Sequence, residues 1–436
     1  MIDLVASAIF FGGIAAVLIF SLTGRVYLSL MFLVPLFPLQ NIIERLHQFP
    51  SGKDFVDILL VIIVLGWGFG SMLRNRSIFE KTPFNKLILV MILFTYLSLW
   101  RGSSYLGFAP PLNLGDPRFH AWKNYMIFPL LYFVTVNNIR SLKHIKWLVL
   151  AMAFSVLIMN RYTGGQLKWF PNLLVSREKI HGTFVWTGVN VVAAFYAQYI
   201  FVFFGLFLTY KKKLLRILFG VLAAFGLYIC LFLFSRGAYF GLLAGFLVIS
   251  ILRKRSLIVP LVLLLVFWQS LLPPSVVERI SQTKTEEGEL ETSAQRRIDL
   301  WKESVELFQD NTIAGVGFNT VPYLGLAGGF ADTHNIYLKI LVEQGMIGFI
   351  IFISLLLLAI RSGWRLYISS SDSFLKGLGL GFIACVVSMM FTNFFGDRWT
   401  YLQIGTFFWV LLALVVRGNI INREELLSKN NAKQKR

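Results

Sequence analysis

Long apolar runs separated by short polar joints account for most of this chain. A helix of about 20 predominantly apolar residues crosses the roughly 30 Å hydrocarbon layer of a bilayer. On that measure the runs near 2–20, 26–41, 55–73, 84–100, 121–138, 145–160, 186–209, 214–234, 237–252, 256–272, 335–360, 374–393 and 399–417 predict thirteen spanning helices. The second, fifth, sixth and ninth are the short ones. Pro273–Pro274 ends the tenth, because proline lacks the N–H that continues a helix. The interval 273–334 that follows is the one long polar stretch. It divides the chain into ten spans at 1–272, an outer loop with an amphipathic helix at 273–334, three spans at 335–417 and a basic tail at 418–436. The predicted fold class is an all-α polytopic membrane protein with about 12–13 transmembrane helices and one long loop holding short helices.

Composition supports that class. A hydrophobic content of 56% and a mean hydropathy of +0.69 exceed what a soluble domain needs. The opening MIDLVASAIF lacks the basic segment of a signal peptide, so it is predicted to be a retained span. The formal net charge of +19 raises the prospect of nucleic-acid binding, which the distribution of charge then removes. Placing RNRSIFEKTPFNK (74–86) on the cytoplasmic side fixes the other joints by alternation, and 138–146, 210–216, 253–255, 361–365 and the tail fall on that same side. Counted over the whole chain by that assignment, the inner side holds 24 Lys and Arg against 4 Asp and Glu, and the outer side 17 against 18. The whole basic excess therefore sets orientation, and no nucleic-acid partner is expected. Cys230 and Cys385 lie in apolar runs and read as buried structural thiols.

Chemistry is concentrated between Thr292 and Gly348. Thr292 or Ser293, with Gln295 completing a capping box, opens a helix in which Ile298, Trp301, Val305 and Phe308 form an apolar stripe. At 100° per residue Arg296 points nearly opposite that stripe, while Arg297 lies about 60° from its centre and is expected to face a membrane-side cavity. The alternative is that both arginines dress an interfacial helix. GVGFNT and GLAGG permit tight turns or a close approach to a ligand, and an ordinary loop would look the same. In ADTHNIYLKI, Asp332 or Thr333 is expected to cap the next helix. His334 would then stand in the first turn, where the macrodipole favours a neutral imidazole, with Asn335 and Tyr337 beside it. Arg236, in LFLFSRGAYFGLLAG, heads a helix at the hydrocarbon edge, either as a functional charge or as a headgroup anchor. His144 falls on the cytoplasmic side and His47 in a short loop, whereas His120 and His181 lie outside, close to arginine.

SRGAYFG, Arg297 four residues before Trp301, GVGFNT and HNIYLKILVEQGMIG, in that order over roughly 235–360, resemble the signature half of the O-antigen ligase superfamily. That superfamily comprises the lipopolysaccharide ligases and the Wzy-type polysaccharide polymerases. HGTFVWTGVNVVAAFYA (181–197) resembles its upstream helix start. Members usually have about a dozen spans, which would make 26–41 a half-helix. The resemblance implies metal-independent glycosyl transfer without a cofactor, at the periplasmic face of a bacterial inner membrane. The donor would be a glycan on polyprenyl (undecaprenyl) diphosphate, and the acceptor a sugar hydroxyl of lipid A-core or another glycan. By likeness Arg236 and Arg297 would bind the diphosphate and His334 would activate the acceptor hydroxyl. Arg296, Arg161, Arg118, His181, Asn335, Tyr337 and Arg398 are further contact candidates, with Lys168, Arg177, Lys179 and Asp397 behind them.

Elementary chemistry agrees with these roles. Guanidinium groups steady charge on a leaving phosphate through paired donors, and a neutral imidazole takes the hydroxyl proton. Single displacement inverts the anomeric carbon, and no DxD pair or His/carboxylate cluster stands out for a divalent ion. A polymerase would use the same donor site with a second lipid-linked repeat as acceptor. A flippase for lipid-linked sugars would line its spans with charge, whereas here charge gathers at one face.

Overall fold

Where no water reaches, backbone groups must be paired within their own segment, so apolar runs fold as helices. The computed structural model describes residues 2–75, 77–113, 115–169, 177–185, 187–281 and 292–434, and no strand occurs among them. Helices α1 (Ile2–Ser7) and α2 (Gly13–Leu22) flank a π turn, and α3 (Val26–Leu36) and α4 (Gln40–Leu46) meet at a 100° bend. Then come α5 (Phe55–Leu73), α6 (Asn85–Tyr105), α7 (Pro117–Asn138), α8 (Leu142–Trp169), α9 (Val189–Thr209), α10 (Lys213–Phe232) and α11 (Arg236–Leu252). Short pieces follow: α12 (Ile258–Val266), α13 (Trp268–Leu271), α14 (Pro274–Ser281), the longer α15 (Thr292–Asp310) and a turn, α16 (Leu326–Gly329). Last are α17 (Ile336–Ser369), α18 (Ser373–Thr392) and α19 (Leu402–Gln434), which continues unbroken into the basic tail as far as Gln434.

The chain is an all-α polytopic membrane protein. Among the described residues nine helical stretches are long and apolar enough to cross a bilayer, and the bent α3–α4 pair counts as a tenth. The run predicted at 256–272 breaks into helices of nine and four residues. At 1.5 Å per residue the longer reaches only about 14 Å, so neither piece by itself has the length of a spanning helix.

Helix α18 is the hub, because its glycines let neighbours approach at backbone distance. A methyl group added at Gly205 of α9 would sit 2.5 Å from the Gly377 carbonyl, and one at Gly379 would sit 2.8 Å from the Gly363 carbonyl of α17. Alternate glycines on α18 thus serve α9 on one side and α17 on the other. Its Ser388 and Thr392 face Gly241 of α11.

Ion pairs separate into two ends. Lys146–Asp372 at 3.4 Å and Arg417–Glu80 at 3.3 Å close one, while Lys123–Asp57 at 2.6 Å and Lys339–Asp397 at 2.8 Å close the other. Each pair joins segments that alternation assigns to a single face.

Candidate functional site

At the second end lies a cavity of about 680 Å³. Its floor is the N-terminus of α11: Phe234 is left-handed (φ 53°), Ser235 is buried, and Arg236 is the first helical residue. Arg236 on α11, Arg279 on α14, Arg297 on α15 and Arg398 in the loop before α19 all line the space. One wall is apolar, made by Leu264, Leu265, Trp268 and Leu272 from the broken run at 256–272. Helix N-termini and guanidinium groups both favour anions, so the cavity pairs an anion-binding floor with a hydrocarbon-compatible side.

Arg297 is half-buried and Arg296 exposed, as their angular offset predicted. The stripe behind that prediction is displaced, however. The fully buried residues of α15 are Leu300 and Ser304, flanked by Leu307 and Phe308, whereas Val305 is 39% exposed. Ser304 tolerates burial because its hydroxyl donates to the Leu300 carbonyl of its own helix at 2.7 Å. Arg297 lies one turn before Leu300, on that inward face. Thr292 and Ser293 fall where side chains are not described, which leaves the capping box outside the described residues.

His334 is not in the first turn of its helix. The cap is Asn335, whose Oδ1 accepts from Tyr337 N at 3.0 Å and Leu338 N at 3.3 Å. Thr333, fully buried, donates its hydroxyl to the Asn335 carbonyl at 2.7 Å, and Trp301 Nε1 donates to the Thr333 carbonyl at 3.0 Å. Held on both sides, His334 is thrown outward in a left-handed conformation (φ 53°), a strain of about 1–3 kcal/mol for a non-glycine residue. Its ring meets Phe330 edge-on at 5.6 Å, and Nδ1 is 3.6 Å from Asp332 Oδ2. Burial lowers the imidazole pKa below its usual 6.5; Asp332 opposes the shift, while the charges of Arg297 and Arg398 add to it. A neutral ring results, as expected, but the causes are burial and two guanidinium groups rather than the helix dipole. His334 itself does not line the 680 Å³ cavity and stands beside its Arg297–Arg398 edge.

Other candidates lie elsewhere. Arg118 is buried in a clip at the start of α7, bonded to Asp116 at 3.0 Å and to the Ala109 carbonyl, with its guanidinium over Phe108. Arg161, Lys168, Lys179, His120 and His181 are exposed and do not border the cavity, and the side chain of Arg177 lies outside the described residues. Tyr337 is tied to the Met390 carbonyl at 2.8 Å and locks α17 to α18. The glycines of GVGFNT serve the backbone rather than a ligand. Val316 N and Gly317 N donate to the Val342 and Glu343 carbonyls at 2.8 Å, and a methyl group on Gly317 would collide with Gly102 of α6. These bonds occupy carbonyls exposed where α17 breaks at Gly345 (φ 62°).

Sequence reasoning missed Arg279, which had no motif around it. It also missed a buried charge cluster in which Asp397 (1% exposed) binds Lys339 and, at 2.6 Å, the Thr400 hydroxyl. Burial alone would raise the Asp397 carboxyl pKa; Lys339 and Thr400 hold it below the usual range. Glu343, one turn beyond Lys339, accepts from Val321 N at 3.3 Å. The signal was available, since charged residues in an apolar run such as YLKILVEQG ask for partners. No cluster of three or more metal-ligating side chains occurs among the described residues.

Residues 221–353 match a family model described as O-Antigen ligase. The matched stretch holds Arg236, Arg279, Arg297 and His334 and ends before Arg398. No curated protein matches the chain.

Proposed function

This chain belongs to the O-antigen ligase superfamily of ligase- and polymerase-type membrane enzymes, and from that premise we propose that it transfers a glycan from polyprenyl diphosphate to a sugar hydroxyl of lipid A-core. One observation carries the reading: Arg236, Arg297 and Arg398, from three elements remote in sequence, converge on a single cavity whose opposite wall is apolar. Such a cavity suits a diphosphate whose polyprenyl tail stays in lipid. His334, neutral and beside the guanidinium edge, is in place to accept a proton.

In the proposed step the acceptor oxygen attacks the anomeric carbon as the bond from that carbon to the diphosphate oxygen breaks. The bonding pair leaves with the diphosphate, whose growing charge the arginines stabilise, and the acceptor proton passes to His334. Attack opposite the leaving group inverts the anomeric centre. The excess of Lys and Arg at the other end of the bundle supports a bacterial inner-membrane protein with this site on the periplasmic side.

The test is a purified protein supplied with a lipid-linked glycan and, separately or together, with lipid A-core. A capped lipid A-core product supports the ligase. A ladder of lengthening lipid-linked chains without lipid A-core would make the enzyme a polymerase, and no transfer under either condition would sink the glycosyltransferase reading.

A further inference from the structure

Beyond the arginine-lined cavity, the same loop borders a second one. It has a volume of about 360 Å³, within the range of small-molecule sites, and lies between α7, α17 and α19. Arg398 faces the first cavity, while Trp399, Thr400 and Tyr401 face the second, so the buried Lys339–Asp397 pair forms part of the partition. Ile336, two residues after His334, also lines the second cavity.

The two linings differ in kind. Among the described residues, four arginines border the first cavity; none borders the second, whose Lys339 is paired with Asp397 and lies within electrostatic range of Glu343. An anion has little to gain there. Amide side chains face the space instead, from Asn124, Asn319, Gln344 and Gln403. Among the described residues, the amides of Asn124, Gln344 and Gln403 make no side-chain hydrogen bond to the protein. Gln344 and Gln403 are nonetheless each only 9% exposed. Buried amides want partners, and each offers both donors and an acceptor. Aromatic surface completes the lining: Trp399, whose Nε1 donates to the Tyr125 hydroxyl at 2.9 Å, and Phe318, with its ring 5.5 Å from Tyr125. Hydroxyls that both donate and accept, set around a ring with apolar C–H faces, match that combination of amides and aromatic planes.

We propose that the second cavity binds a neutral pyranose ring of the acceptor glycan, on the far side of the 397–401 partition from the arginine-lined cavity. Naming the ligand as acceptor rests on the glycosyltransferase reading above; the sugar-binding chemistry of the cavity does not. Two measurements keep these separable. Saturation-transfer NMR on the full-length protein in detergent, with methyl glucoside, methyl galactoside and N-acetylglucosamine as probes, should give signal for at least one sugar. That signal should fall at least fivefold in Asn124→Leu and in Gln403→Leu and persist in Arg236→Ala. Signal unchanged in both amide variants, or none from the wild type, overturns the sugar site whether or not the protein catalyses transfer. In the transfer assay, folded Gln403→Leu should raise the acceptor KM at least fivefold with the donor KM unchanged. A rise confined to the donor KM would overturn the acceptor assignment.

Discussion

His334, the proposed base, is held outside its helix by the residues on either side of it. Thr333 and Asn335 are each fixed by buried hydrogen bonds, so the strained residue between them is held against Phe330 and Asp332, within electrostatic range of Arg297 and Arg398. Replacing it with alanine should cut transfer by about 10²-fold or more while the protein still elutes as a folded species; full activity would remove His334 from the chemistry. The pH profile has a definite sign. With the imidazole pKa pushed below 6.5 by burial, the proton-accepting form dominates at neutral pH, and the rate should rise through an acid limb below 6.5 and then level. The Asp332 carboxylate stabilises the imidazolium, so Asp332→Asn should move that limb to lower pH. A limb that stays in place or moves upward would show that His334 is not the group being titrated. Arg236→Lys keeps the charge and loses the planar fork. A donor KM raised about tenfold or more is expected, the scale of one charge-assisted hydrogen bond, and a wild-type value would mark Arg236 as a helix anchor.

The break in α17 at Gly345 shapes the elements around the site. It separates a short segment bearing Lys339 and Glu343 from the long apolar rod, and the 312–317 loop fills the gap by donating to the carbonyls of Val342 and Glu343. Lys339 then reaches Asp397 and ties that segment to the loop that carries Arg398. Lys339→Met leaves the nearly inaccessible Asp397 carboxylate without its partner. The expected cost is about 3–5 kcal/mol, seen as a lowered thermal unfolding midpoint in detergent; an unchanged midpoint would mean the pair contributes nothing to holding the loop. The inward aim of Arg297 was legible from helical periodicity even though the stripe was misplaced. Ser304 looked polar, and only the fold shows its hydroxyl satisfied within its own helix. The cap of α17 was misread by two or three residues because Asp332, Thr333 and Asn335 are all good caps. A tertiary bond from Trp301 to the Thr333 carbonyl and a local bond from the Thr333 hydroxyl to the Asn335 carbonyl hold Thr333 outside the helix and leave Asn335 as the cap.

Across the whole molecule, glycine-mediated contacts gather α9, α11 and α17 around α18, and the site sits at one end of that bundle. Charge alternation assigns this end to the non-cytosolic face. A single cysteine at exposed Gln295 in a cysteine-free background should react with an impermeant maleimide added to intact spheroplasts. Reaction only after the cells are opened would reverse the orientation and put the proposed chemistry on the wrong side.

The sequence by itself determined the helical membrane class, and its charge pattern and motifs supplied the proposed side of each joint and the proposed diphosphate-binding residues. Hydropathy and charge are local properties that the bilayer reads segment by segment. Only the tertiary structure decided that Arg398 and Arg279 share a cavity with Arg236 and Arg297, that Arg118 does not, and that a second cavity lined by amide side chains lies behind the loop. Those outcomes depend on which helix ends meet, and that is set by backbone approach at glycines and by buried pairs such as Lys339–Asp397, between residues far apart in the chain.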